Sequence, residues 1–224
     1  MSKNILIIAA HPDDELLGIG GTVIKHVEDG DKVFALILGE GAVSRDGSSI
    51  KDIKRLHQQT YAASKVVGFK EVFFCDFPDN SFDTVSLLAI TKKVEFYLNK
   101  IAPQIVYTHF QNDLNIDHRR TFEAVLTACR PCNEKSPDEL YTFETLSSTE
   151  WQTKNVLQFQ PNSYVNIENF IDKKIKALGK YAVEMKKYPH SRSEEGIRIL
   201  AQYRGLESGF KFAEAFCLIR RMSK

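Results

Sequence analysis

Alternating strand-like and helix-like segments predict an α/β fold, a Rossmann-like three-layer sandwich around a mostly parallel sheet. Two observations carry this prediction. Asn4–Ala9 (NILIIA) and 32–38 (KVFALIL) are continuous apolar runs of strand length, as expected of strands buried on both faces. The stretches between such runs are longer and helical in period, so consecutive strands are joined by right-handed crossovers rather than hairpins.

Each element follows in order. After the first strand, 16–27 reads as a helix closed by the turn Glu28-Asp29-Gly30-Asp31, and 32–38 is the second strand. The stretch 39–49 is rich in Gly, Ser and acids, and is expected to be a loop. Ile50–Val67 is helical and stops at Gly68, a C-cap residue. A third strand covers 71–75, and 76–83 (DFPDNSFD) has loop composition. Leu87, Ile90, Val94 and Tyr97 then line one face of a helix. The fourth strand is 104–108 (QIVYT), followed by a loop to Asp117, a helix over 121–128 and a fifth strand over 140–146. Ile171, Ile175, Leu178, Ala182 and Met185 recur at spacings of four and three, which predicts a helix over 168–187. Another is expected over 193–203, and 213–219 ends the chain as a strand or short helix. In a sheet of order 3-2-1-4-5, strands one and four are neighbours at the switch point. Ligands then bind outside their C-terminal ends, in the loops after Ala10 and after Thr108.

Composition bounds the function. With 224 residues, 43% of them apolar, the chain can fill one core, and a single domain over 1–224 is expected. Lys and Arg number 30 against 29 Asp and Glu, so no electrostatic pull toward nucleic acid or an anionic membrane is expected. No segment approaches the ~20 apolar residues of a membrane span, and a cytoplasmic location is expected. Cys129 and Cys132 form a CxxC at the end of a helix, before which no second pair stands. A redox pair would sit at a helix N-terminus, so ordinary reduced thiols are the better reading.

The two loops singled out by topology carry metal-ligand chemistry. The first reads Ala10-His11-Pro12-Asp13-Asp14-Glu15, and the second runs from His109 through Asp113-Leu114-Asn115-Ile116-Asp117-His118-Arg119. His11, Asp14 and His118 supply two imidazoles and a carboxylate with a position left open, the ligand set of a catalytic Zn²⁺ site. Asp13, beside a ligand, is placed to take the proton of a zinc-bound water. Each residue alone has a plainer explanation, as a surface histidine or an aspartate capping a helix. Their joint arrival at adjacent strand ends favours the metal.

These stretches, AHPDDE and DLNIDHR, resemble the LmbE/PIG-L family of zinc deacetylases. The likeness extends to Gly18-Ile19-Gly20-Gly21-Thr22, Phe77-Pro78-Asp79 and Pro189-His190-Ser191-Arg192-Ser193. It implies that His11, Asp14 and His118 hold Zn²⁺, that Asp13 is the general base and that Asp117 orients a catalytic imidazole. It also implies an N-acylated, above all N-acetylated, amino sugar or sugar conjugate as substrate, and favours a homo-oligomer. One departure stands out. Where many members have a histidine in an HxDH motif, this chain has Asn115, which can donate a hydrogen bond but cannot act as an acid. His190, in a proline-flanked turn near Arg192, is therefore expected to stabilise the reacting centre, with His109 as second candidate. Asn115, His109, Arg55 and Arg192 are expected to touch substrate, although a solvated helix arginine is the plainer account of Arg55.

Other features are weaker. Gly18-Ile19-Gly20-Gly21 lacks the context of a dinucleotide fingerprint, and its glycines more simply let a helix approach the sheet. Ser147-Ser148-Thr149-Glu150-Trp151 offers hydroxyls and the chain's single Trp for a sugar ring, or else a capping box. Two competing functions are a metal-dependent phosphoesterase and a non-catalytic nucleotide-binding or sugar-binding module. The first wants more ligands than three, and the second has no use for Asp13.

Overall fold

The computed structural model describes residues 2–41, 50–132 and 135–223. Of the expected 39–49 loop, positions 42–49 lie outside the described residues. Five parallel strands, β1 (Asn4–Ala9), β2 (Lys32–Gly39), β3 (Glu71–Phe77), β4 (Ile105–His109) and β5 (Glu139–Phe143), stand in the order β3-β2-β1-β4-β5. Two further strands, β6 (Ser163–Asn166) and β7 (Ala213–Arg221), extend the sheet beyond β5 as β7-β6, both pairings antiparallel. β1 is central: Ile5 lies opposite Val33 of β2 on one side and Ile105 of β4 on the other.

Because strand side chains alternate between faces, β1 feeds two cores. Ile5 and Ile7 join the layer built by α1 (Asp14–Leu17), α2 (Gly20–Glu28), α3 (Ile50–Val67), α6 (Ile171–Leu178) and α7 (Glu194–Ser208). Leu6 and Ile8 join the opposite layer, built by α4 (Leu87–Ile101) and α5 (Ile116–Ala128). Helices on both faces of a mostly parallel sheet give the three layers that the alternation predicts. Gly68 ends α3 with φ +95°, the left-handed conformation its C-cap position requires. Among the described residues, no helix is long and apolar enough to cross a membrane.

The differences from expectation cluster where tertiary contacts redirect the chain. The helix expected over 16–27 is two helices, broken at Gly18 and Ile19. A Cβ on Gly18 would lie 2.2 Å from the Phe143 ring, so the break lets the chain run against β5. The helix expected from 121 starts earlier, at Ile116, because the Asn115 side-chain oxygen Oδ1 accepts the Asp117 N–H at 2.8 Å and caps it. His118 thus sits in a first helical turn rather than just after a loop. The long amphipathic helix expected over 168–187 ends at Leu178, and 179–192 folds back toward β1. Tyr181 is drawn inward there, its hydroxyl donating to Glu15 at 2.6 Å. β6 is short and half-exposed, without the apolar run that marks the other strands, so its sequence carried no strand signal.

Candidate active site

Two loops leave the C-terminal ends of β1 and β4, and their side chains converge. Asp13 opens α1 in a left-handed conformation, φ 101°, which is rare for a non-glycine residue and is held by its N–H donating to Glu15 at 2.8 Å. This conformation turns Asp13 and its neighbour Asp14 to different partners. The Asp14 Oδ2 lies 3.3 Å from His11 Nδ1 and 3.2 Å from His118 Nε2. Its other oxygen, Oδ1, is buried without a hydrogen-bond partner among the described residues. An orphaned buried carboxylate oxygen is costly unless something absent from the chain satisfies it. Ligand atoms of His11, Asp14 and His118 all fall within 4.8 Å of one another, so these residues fit a metal ion. His11, Asp79 and Asp117 form a second group of that size. There, however, one Asp117 oxygen is already bonded to His11 and the other accepts the Phe82 N–H.

Each imidazole is held from behind by a carboxylate. Asp117 Oδ2 meets His11 Nε2 at 2.9 Å, leaving Nδ1 turned to Asp14. Asp113 Oδ1 lies 3.1 Å from His118 Nδ1, leaving Nε2 turned to Asp14. Such carboxylate–histidine pairs set the tautomer and ring orientation of a ligating histidine. Asp113 is itself fixed by the Ser148 hydroxyl on one oxygen and by the Thr149 hydroxyl at 2.6 Å on the other. Asp113 heads the DLNIDHR stretch, but spacing alone does not separate it from a loop-capping aspartate. Its role appears only when 147–149 arrives against it.

The electrostatics follow from burial. Burial opposes charge on His11, but its hydrogen bonds to the Asp117 and Asp14 carboxylates win and raise it to about 10. His118 is likewise raised to about 9, mainly by Asp14 against burial. Burial also works against ionised Asp14, yet the charges of His118 and His11 hold it well below the usual carboxylate range. Asp13 behaves in the opposite way. Burial pushes it well above that range, and the adjacent Arg192 guanidinium offsets only part of the rise. Two neighbouring carboxylates are thus driven apart, the pattern that separates a ligand from a proton acceptor.

A polar cavity of about 150 Å³ opens onto this centre. His11, Asp13, Asp14 and His118 form its floor, while Asn80, Asn115, Ser147, Glu184 and Arg192 contribute to its wall. Arg192 Nη1 donates to Asp13 Oδ2 at 2.8 Å, and its Nε donates to the Ser147 hydroxyl at 2.6 Å. Asn115 caps α5 with its oxygen and donates from its amide nitrogen to Asn80 at 3.0 Å.

Three expected site residues do not line the cavity. His109 is fully buried and stacked on the His118 ring at 3.8 Å. Its Nε2 accepts the Ala10 N–H and its Nδ1 faces the Thr145 hydroxyl, and burial holds it well below the usual imidazole range. Its Nε2 also lies 3.5 Å from Asp14 Oδ2, so His109 is a buried neighbour of the centre with both nitrogens engaged. His190 does not line the cavity. Its ring packs edge-on to Trp151 and its Nδ1 accepts the Arg192 N–H. Arg55 is exposed on α3, where it pairs with Asp52, and it too is absent from the cavity lining.

Fold and site together place the chain among doubly wound α/β proteins with a His–Asp–His centre at the switch point of the sheet. The family model for PIG-L, GlcNAc-PI de-N-acetylase, matches residues 6–129, more than half of the chain, and the chain belongs to this deacetylase family. Among relatives, diacetylchitobiose deacetylase of Thermococcus kodakarensis is 24% identical over 95% of this chain and 81% of its own length. Among solved structures, N,N'-diacetylchitobiose deacetylase of Pyrococcus horikoshii superposes with a TM-score of 0.80 at 19% identity, covering 97% of this chain and 84% of that one. GalB of Pseudomonas putida, a 4-carboxy-2-hydroxymuconate hydratase, superposes with a TM-score of 0.75 at 18% identity, covering 99% and 98%. The structural likenesses carry the fold, and a fold shared with a hydratase does not choose the chemistry.

Proposed function

We propose that this chain is a zinc-dependent hydrolase that removes the N-acetyl group of an amino sugar or sugar conjugate. The observation that supports it best is the His11–Asp14–His118 cluster with its orphaned Asp14 oxygen, set beside a separately poised Asp13. Two imidazoles and one carboxylate suit Zn²⁺. A cation held there supplies Lewis-acid polarisation of the acyl carbonyl and of the attacking water.

The remaining work falls to the chain's own residues. Asp13 accepts a proton as water attacks the acyl carbon, and returns it to the amine nitrogen as the C–N bond breaks. Arg192 engages only one oxygen of Asp13, leaving the other for that proton. Once Asp13 is neutral, its pull on the guanidinium falls, and Arg192 becomes free to face the charge developing on the acyl oxygen. This assigns to Arg192 the stabilising part that the sequence suggested for His190. Asp117 and Asp113 keep the two imidazoles aimed.

The test is direct. Purified protein, stripped and reloaded with Zn²⁺, Fe²⁺, Co²⁺ or Mn²⁺, is incubated with N-acetylglucosamine, N,N'-diacetylchitobiose and a phosphate ester. Acetate release that requires the metal, without phosphate release, is expected. Phosphate release instead, or acetate release by the stripped protein, overturns the proposal.

A further inference from the structure

The segment that folds back after α6 reaches Asp13 by two routes. Arg192 meets its carboxylate, and Tyr181, earlier in the same segment, meets its backbone through one intermediary. The Tyr181 hydroxyl donates to Glu15 Oε1 at 2.6 Å, and Glu15 Oε2 accepts the Asp13 N–H at 2.8 Å. Tyr181 is fully buried and Glu15 is 1% exposed, and neither lines the cavity. Whatever the pair does for the reaction therefore passes through Asp13.

Asp13 stands at the N-cap of α1, where an aspartate ordinarily takes an extended backbone and turns its carboxylate onto the free N–H groups of the helix. Here it does neither. Its φ is 101°, and its side chain makes no capping bond. Its carbonyl still accepts the Leu16 and Leu17 N–H groups at 3.0 and 2.9 Å, so only the preceding peptide and the carboxylate are turned from the usual cap. A left-handed aspartate persists where surrounding contacts over-determine it. From this geometry we infer that Glu15 and Tyr181 are positioning residues for the reaction: they lock the Asp13 peptide so that its carboxylate faces the cavity instead of capping α1. The inference rests on the deacetylase reading above and extends it to two residues outside the cavity. Without the Tyr181 hydroxyl, one buried Glu15 oxygen loses its donor, a costly state that Glu15 relieves by turning away. The Asp13 N–H is then released, and the carboxylate swings toward the end of α1. A misplacement of about 1 Å in such a group is enough to cost up to ~10²-fold in rate.

Tyr181→Phe removes the hydroxyl and keeps the ring. In the metal-loaded protein turning over N,N'-diacetylchitobiose, kcat is expected to fall about 10- to 100-fold with KM and metal content unchanged. In an Asp13→Asn background the same substitution should change kcat by less than about twofold, because the group it positions is already gone. A loss of equal size in both backgrounds belongs to a general structural role and overturns the inference. So does an unchanged kcat in Tyr181→Phe, or loss of metal, which would set the pair behind the ligand loop as a whole. Glu15→Gln, which keeps an acceptor for the Asp13 N–H, should lose less than Glu15→Ala, and equal losses count against the lock. Crystal structures of the parent and Tyr181→Phe supply a readout that needs no activity. Asp13 should leave its left-handed conformation and part from Arg192 in the variant. If it keeps both, the lock is overturned whatever the rates. Absence of acetate release by the parent instead defeats the deacetylase reading, and the two structures still decide whether Tyr181 holds Asp13.

Discussion

The floor and the wall of the cavity are built in different ways. The floor comes from two short loops on adjacent parallel strands, and its groups are almost wholly buried: Asp14 is 1% exposed and His118 1%. Every floor imidazole has a carboxylate behind it, Asp117 for His11 and Asp113 for His118. The wall combines Asn80 and Asn115, from the loops after β3 and β4, with Ser147, Glu184 and Arg192 of segments that follow β5, and these last three side chains are partly open to solvent. A rigid floor suits a metal and a fixed reaction geometry, whereas a wall of turns can differ between proteins of one fold without disturbing the floor. Asp13 is where the two meet, sitting in the floor loop but bonded to Arg192 of the wall.

The largest expected effect tests the floor. His11→Ala, Asp14→Ala and His118→Ala should each lose the tightly bound metal, measured by elemental analysis after gel filtration, and fall to the activity of the stripped protein. A variant that keeps one metal per chain removes that residue from the ligand set. At the junction, Asp13→Asn should bind metal as the parent does while kcat falls by roughly 10²–10⁴-fold, the span of a lost general base. Metal loss in that variant would mean that Asp13 and Asp14 have exchanged roles and that the floor extends further than drawn.

Smaller effects separate aim from ligation. Asp113→Asn and Asp117→Asn should each weaken metal affinity about 10- to 100-fold, read by chelator competition. If Asp113→Asn has no effect, Asp113 serves the 147–149 turn and not His118. The smallest change lies in the scaffold. Gly18→Ala places a methyl group into Phe143 and should cost about 1–3 kcal/mol. The melting midpoint should fall by about 2–4 °C per kcal/mol in a chain this size, with metal content unchanged.

Legibility in the sequence divides along the same line. The buried strands announce themselves because a strand covered on both faces needs an unbroken apolar run, and β1 and β2 have one. Their order then points to the loops after β1 and β4, and His11, Asp13, Asp14 and His118 are dense enough there to read as a centre. The helix over 168–187 misleads for a physical reason. Its apolar period continues to Met185, but the helix ends at Leu178, and beyond Gly179 Tyr181 is fully buried with its hydroxyl donating to Glu15, a long-range contact that no period reports. His190 and Arg192 differ by two residues and look equally suited to a site. The turn that carries them sends the arginine to Asp13 and the histidine to Trp151.

By itself, then, the sequence determined what local patterning can determine: which segments are buried strands, which loops they open into, and that those loops hold two imidazoles beside paired aspartates. Only the tertiary structure decided what each of those groups faces. The pairing of Arg192 with Asp13 spans 179 residues, and that of Asp113 with Thr149 spans 36. No periodicity reports such contacts, because they exist only once the C-terminal segments have folded back over β5. His109 stays out of the cavity lining although it stacks on His118 and lies 3.5 Å from Asp14. Beside the sheet end it has the right chemistry for a ligand, but Ala10 and Thr145 take both of its nitrogens and the His118 ring covers its face.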